Sequence, residues 1–272
     1  MNYNYNEIKK WYEKGKELGA THLLILLDKE DGMLFNKYIL EGQNIHDAMK
    51  NVYRYQKKES IIIKDTIDLS KSLDEHIYKS LYDRAYKYAS KKHKGKYRKG
   101  YAKKPYIVHP INVSNLVQKY MKNDEELMKY KIVSLLHDTL EDSDATYEEE
   151  AKLFGKEIAD IVLELSSDKT KQKELGKDVY LSNKMLEMKD KTLIIKLCDR
   201  LDNVAGLDEV DDAFNEKYIR ETIYIINYLL LNRKLNNTHL QIINDIMKKI
   251  KEVSIKDPMI IKPRKLTFEN KK

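Results

Sequence analysis

The chain has 272 residues, of which 42% are hydrophobic and 35% charged, and a formal net charge of +7. Only four prolines and nine glycines exclude collagen, proline-rich linkers and low-complexity disorder, and no run approaches the roughly 18 apolar residues of a membrane span. The single cysteine, Cys198, cannot close an internal disulfide, and the polar start Met1-Asn2-Tyr3-Asn4-Tyr5 lacks a signal-peptide core, so the expected setting is a reducing cytoplasm.

Residues 6–18 carry Ile8, Trp11, Tyr12 and Leu18 at helical spacing, and Gly19 follows as a stop. The apolar run from Ala20 to Leu27 predicts a strand, Asp31-Gly32 a tight turn, and Met33 to Leu40 the returning strand. Ile45 to Tyr55 reads as a helix and Ser60 to Ile63 as a third strand. This α-β-β-α-β pattern defines a small α+β unit over 1–68, too small to be robust unless it docks on the remainder. From Ser70 onward the periodicity is helical, with helices predicted over 73–92, 111–121, 124–141, 146–152, 155–166, 178–188, 191–204, 209–232 and 237–253. The segment 255–272 holds Pro258, Pro263 and a surplus of Lys, and predicts a loose basic tail. The expected fold class is therefore mainly α, with a helical domain over 69–254 and a small N-terminal α+β appendage.

The charge is unevenly placed. Residues 1–68 hold 11 basic and 11 acidic side chains and are neutral. Arg84 to Lys104 holds 10 basic residues and no acid, whereas His137 to Glu150 holds 7 acids and no base. Two opposed blocks in one domain look more like a site that pairs a cation with a polyanionic small molecule than a stripe for nucleic acid, the other reading of the basic block being a solvated face. Neither nucleic acid nor membrane is an expected partner, and the N-terminal unit is left open to a protein partner or to self-association.

Four stretches carry the chemistry. His93 opens His93-Lys-Gly-Lys-Tyr-Arg98-Lys99, followed by Pro105-Tyr-Ile-Val-His109-Pro110. Later come Leu-Leu-His137-Asp138-Thr-Leu-Glu141-Asp142 and Lys196-Leu-Cys-Asp199-Arg200-Leu-Asp-Asn203. A His-Asp pair alone is a weak signal, and His46-Asp47 is a second one that reads as an ordinary surface feature. The pair at 137–138 instead ends an apolar helix containing Leu127, Ile132, Val133, Leu135 and Leu136. Helical spacing sets Glu141 one turn beyond His137 and Asp142 one turn beyond Asp138. Burying these groups uncompensated is expensive, so a bound cation explains them best. Asp199 also lies in an apolar helix, with Asn203 one turn later on the same face. His93 reads as structural and Cys198 as a small buried hydrophobe.

The ordered set His…His-Asp…Asp resembles the ligand set of HD-domain phosphohydrolases. The words around it, together with Phe154-Gly155, resemble the hydrolase domain of RelA/SpoT proteins and the stand-alone small alarmone hydrolases of the metazoan SpoT homolog type. The resemblance covers roughly 80–207, and the five residues between Lys99 and Pro105 resemble the slightly longer loop of the stand-alone type. It implies an HD hydrolase domain over 69–254 that removes the 3′-pyrophosphate of (p)ppGpp, the alarmone of the stringent response, giving GDP or GTP plus pyrophosphate. It implies His109, His137, Asp138 and Asp199 as metal ligands, Glu141 and Asp142 as the acidic pair acting on the attacking water, and Arg98, Lys99 and Asn203 as nucleotide contacts. No nucleotidyltransferase domain is expected in what remains. Two positions depart from the pattern: Asp202 replaces the usual His of the long enzymes, and Gly206 replaces a Thr close to the nucleotide. Both bear on base specificity.

The chemistry is consistent with that resemblance. Two imidazoles and two carboxylates suit Mn²⁺ or another divalent first-row ion better than structural zinc. The basic block over 84–104 is placed to hold phosphates. Two other readings remain open at this point: an HD hydrolase acting on another nucleotide, such as the 2′-phosphate of NADPH, and a regulatory module that senses a nucleotide.

Overall fold

The computed structural model describes residues 5–54, 60–100 and 103–256. The element order is α1 (Tyr5–Glu17), β1 (Ala20–Asp28), β2 (Leu34–Leu40), α2 (Ile45–Arg54) and β3 (Ile61–Asp68), after which every element is helical. The helices are α3 (Leu73–Lys92), α4 (Val108–Tyr120), α5 (Leu127–Leu136), α6 (Thr139–Asp142), α7 (Tyr147–Phe154), α8 (Lys156–Leu165), α9 (Lys169–Leu175), α10 (Lys177–Glu187), α11 (Asp190–Ala205), α12 (Asp212–Asn232) and α13 (Asn237–Lys256), with α6 a single turn. Helix accounts for 67% of the described residues, and the only sheet among them is small and N-terminal, so the expected mainly-α class holds. The predicted basic tail lies outside the described residues from 257 onward. No helix among the described residues is long and apolar enough to cross a membrane.

Two compact units divide the chain, Met1–Asp83 and Arg84–Lys272, so the division falls within α3. In the first unit β1 is the central strand of an antiparallel sheet ordered β2-β1-β3. Its apolar run is continuous because both faces are covered. Leu23 and Ile25 pack with Ile8 and Tyr12 of α1, whereas Leu24 and Leu26 pack with Ile39 and Val52, the latter on α2. Strand β3 runs past the predicted end at Ile63 to Asp68, through Lys64-Asp65-Thr66. Pairing with β1 recruits Asp65 and Thr66, with Lys64 at a shift in register, and Ile67 returns to the core on the α1 face.

In the second unit α11 packs against α4, α5, α8, α12 and α13. Every residue from Thr192 to Asp202 is buried, so its polar members must find partners inside the protein. Two differences from the predicted helices matter for the site. The helix expected over 124–141 is broken: α5 ends at Leu136, and Asp138 (φ −104°, ψ 0°) turns the chain into α6. Thr139 Oγ1 donates to the Leu136 carbonyl across this break at 2.6 Å. Helix α9 has no buried residue, hence no apolar periodicity to betray it, and starts on an Asp168 cap that accepts from Thr170 N and Lys171 N. His46 and Asp47 sit exposed in the first turn of α2, capped by Asn44, as an ordinary surface pair.

Candidate active site

His109, in the first turn of α4, and His137, at the end of α5, are both buried, with their rings 5.1 Å apart. His137 Nδ1 donates to the Ser134 carbonyl at 2.7 Å, an acceptor that dictates the tautomer. Its Nε2 points towards Asp138 Oδ2 at 3.1 Å and Asp199 Oδ1 at 3.9 Å, and has no hydrogen-bond partner of acceptable geometry. His109 is arranged the same way. Its Nδ1 donates to Asp202 Oδ2 at 2.6 Å, while Nε2 faces Asp199 Oδ1 at 3.1 Å and Asp138 Oδ2 at 3.6 Å.

Each carboxylate is held in place as well. Tyr106 donates its hydroxyl to Asp138 Oδ2 at 2.6 Å. Lys196 lies 3.1 Å from Asp199 Oδ2, and Asn203 Nδ2 donates to Asp199 Oδ1 at 2.7 Å. Burial opposes ionisation of both carboxyls, yet the facing imidazoles and Lys196 hold them below the usual carboxylate range. Conversely, burial would lower His137, but Asp138 and Asp199 push it up to about 10. Two imidazole nitrogens and the Asp138 carboxylate form a group that could hold a cation, with Asp199 Oδ1 beside it. Donor atoms of His109, His137 and Asp138 lie within 4.8 Å of one another, and this mixed N/O set fits a divalent metal.

The set opens onto a cleft of about 360 Å³. Glu141 and Asp142 line it, Glu141 Oε2 accepting from Ser167 N at 2.9 Å and Asp142 lying 3.4 Å from Lys169 Nζ. Arg98, Lys99 and Asn203 line it too. The Arg98 guanidinium donates to Asn203 Oδ1 at 2.8 Å and to Asp202 Oδ2 at 3.2 Å, so it is tied to the same carboxylate as His109. Lys99 sits over the Phe214 ring at 4.7 Å. A Cβ at Gly206 would meet Arg98 Nη2 at 3.6 Å, ordinary contact beside the guanidinium. His93 is buried against Tyr106, ring centroids 4.7 Å apart, and neither ring nitrogen has a hydrogen-bond partner.

Asp202 escaped the sequence reading as part of the site. Besides His109 and Arg98 it accepts from Asn112 Nδ2 at 2.9 Å, so one carboxylate sets the His109 tautomer and the Arg98 arm together. Its signal was visible in retrospect: an acid at i+3 from Asp199, where the related pattern carries His. Tyr106, Lys196 and the cleft cations Lys177 and Arg200 were also missed as site residues. Asp202→Ala is expected to weaken divalent-metal binding by about 10- to 100-fold, the usual cost of losing a partner that orients a ligating His. Titration calorimetry with Mn²⁺ would measure it.

The sequence profile of the HD domain matches residues 85–234, more than half of the chain. The chain belongs to the HD-domain family. Members of this family that are hydrolases use a divalent metal, in keeping with the donor set above. Among relatives of the HD domain, a guanosine-3′,5′-bis(diphosphate) 3′-pyrophosphohydrolase of Xenopus tropicalis is 32% identical over 137 residues, covering 49% of this chain and 74% of that one. Its Drosophila melanogaster counterpart is 36% identical over 122 residues (44% and 65%), and that of Aquifex aeolicus 36% over 144 residues (52% and 20%). The chain thus spans less than two thirds of the Drosophila and Aquifex relatives. Among solved structures, a metazoan ortholog of SpoT that hydrolyzes ppGpp aligns with a TM-score of 0.53 at 26% identity, over 62% of this chain and 95% of that one.

Proposed function

We propose that the HD domain, carried by residues 69–254, hydrolyses the 3′-pyrophosphate of (p)ppGpp to GDP or GTP plus pyrophosphate, with Mn²⁺ at the His109, His137, Asp138 and Asp199 set. The observation that carries this reading is the cleft in which that set adjoins Glu141, Asp142 and five cationic side chains, Arg98, Lys99, Lys177, Lys196 and Arg200. A substrate with two pyrophosphate groups needs such a density of positive charge, and its hydrolysis needs a proton acceptor beside the scissile bond. The names of the three relatives above, each a pyrophosphohydrolase of the same nucleotide, support the choice of substrate.

A divalent ion in the set would supply Lewis acidity towards a phosphoryl oxygen and towards water. The chain supplies the rest. Glu141 or Asp142 takes the proton of the attacking water as its oxygen bonds to the phosphorus nearest the ribose. The bond from that phosphorus to the 3′ oxygen breaks, and the 3′ oxygen takes up the proton held by that acid and leaves as the ribose hydroxyl. Lys196 keeps Asp199 ionised and in place. Arg98, Lys99 and Asn203 hold the nucleoside, and Lys177 and Arg200, which lie over the Tyr218 ring at 5.9 and 5.2 Å, hold phosphates.

Incubating the protein with Mn²⁺ and ppGpp, pppGpp, NADPH and dNTPs in parallel is the direct test. Formation of GDP and pyrophosphate from ppGpp, abolished by chelator, is the expected result. Single phosphates released from NADPH with ppGpp intact would overturn the substrate assignment. Arg98→Ala is expected to raise KM by about 5- to 30-fold, the equivalent of about 1–2 kcal/mol for a cation on an aromatic base. Steady-state kinetics would show a misplaced Arg98 as a collapsed kcat at unchanged KM.

A further inference from the structure

Glu150, on α7, is completely buried. Its Oε1 is hydrogen-bonded to Thr139 Oγ1, and its Oε2 has no partner. Thr139 is the residue that follows the His137-Asp138 pair and opens α6. A threonine hydroxyl has one proton to give. Here that proton goes to the Leu136 carbonyl at 2.6 Å, which can only accept. The hydrogen between Thr139 and Glu150 must therefore come from Glu150.

The surroundings agree with a neutral acid. Lys92 of α3, the cation whose field reaches Glu150, is shared between Asp144 at 3.1 Å and Glu149 at 2.8 Å, and Tyr88 of the same helix donates to Glu149 at 2.9 Å. Glu149 is thus the satisfied member of the pair, and its charge adds to the burial that pushes the Glu150 carboxyl up to about 7. An ionised Glu150 would compete with the Leu136 carbonyl for one hydroxyl proton and leave one buried acceptor unpaired.

We propose that Glu150 is a positioning residue that works as a neutral carboxylic acid: by donating to Thr139 it fixes the break between α5 and α6 that aims His137 and Asp138 at the metal. Thr139 is held at two points, the Leu136 carbonyl before the break and Glu150 from α7, so the turn cannot relax into a continuous helix. The inference rests on the metal-site reading above for its consequence, but not for its chemistry.

The experiment compares Glu150→Gln with Glu150→Met in the full chain. Gln keeps a donor for Thr139, whereas Met keeps the volume and removes it. The Gln variant is expected to bind Mn²⁺ within about twofold of the parent and the Met variant about 10- to 100-fold more weakly, the range for lost support of a ligand. Infrared spectra supply a readout independent of metal and substrate. The parent should show the carbonyl band of a protonated carboxyl at about pH 6 that fades by about pH 9, and the Gln variant should lack it. A Gln variant as impaired as the Met variant, or a parent without that band at about pH 6, overturns the proposal. If the Met variant does not fold, the Gln variant and the band decide alone. If the parent fails to cleave ppGpp while both results hold, the substrate assignment falls and this inference stands.

Discussion

Replacing Glu141 by Gln and Asp142 by Asn together is expected to lower kcat by about 10²- to 10⁴-fold, the usual contribution of general acid–base catalysis, while metal and nucleotide still bind. Both side chains line the cleft, yet neither is hydrogen-bonded to His109, His137, Asp138 or Asp199 among the contacts of the site. The amides keep size and most hydrogen bonding; the carbonyl oxygen introduced by Glu141→Gln can still accept from Ser167 N. What they lose is the capacity to take a proton at neutral pH. Calorimetric titration of Mn²⁺ and nucleotide, set beside single-turnover hydrolysis, separates the two effects. Lost metal binding would make one of the two acids a ligand. Near-normal turnover would remove them from the proton path altogether.

Asp199→Asn should do the opposite: metal affinity falls first, and activity follows it down. Asp199 is the acceptor on which His109, Lys196 and Asn203 converge. Removing its charge leaves Lys196 buried beside a neutral amide and deprives the donor set of half its formal charge. At subsaturating Mn²⁺ a loss of about 10³-fold in hydrolysis is expected, equivalent to about 4 kcal/mol of the charge stabilisation a metal provides. Because affinity is what is lost, raising Mn²⁺ should restore part of the rate, which it should not do for the Glu141/Asp142 double variant. The contrast in metal rescue makes the two predictions a pair. Identical behaviour of both variants would show that the two sets of acids do not have separate jobs.

Asp202→Ala extends this logic one bond outward. Its carboxylate orients both His109 and Arg98, so metal affinity and KM should move together in that variant, whereas Arg98→Ala should move KM alone.

The sequence by itself determined the family and the helical class, and it singled out the residues proposed as metal ligands. His109, His137-Asp138, Asp199 and the words around them are local strings, and an ordered series of local strings survives without coordinates. The helical domain was legible because amphipathic periodicity is also local, and β1 because a strand covered on both faces is apolar at every position. Only the tertiary structure decided what supports those residues. Asp202 lies 93 positions from His109, and Tyr106 lies 32 positions from Asp138; no spacing rule joins them, since they meet only once α4, α5 and α11 have packed together. The break at His137-Asp138 was likewise invisible. Residues 124–141 read as one continuous helix until Thr139 is tied to Leu136 and to Glu150, an acid whose burial and missing counter-charge exist only once α7 has folded beside it. Residue types that do chemistry are written along the chain; of the hydrogen bonds that aim them, those from Asp202, Tyr106 and Glu150 come from long-range packing.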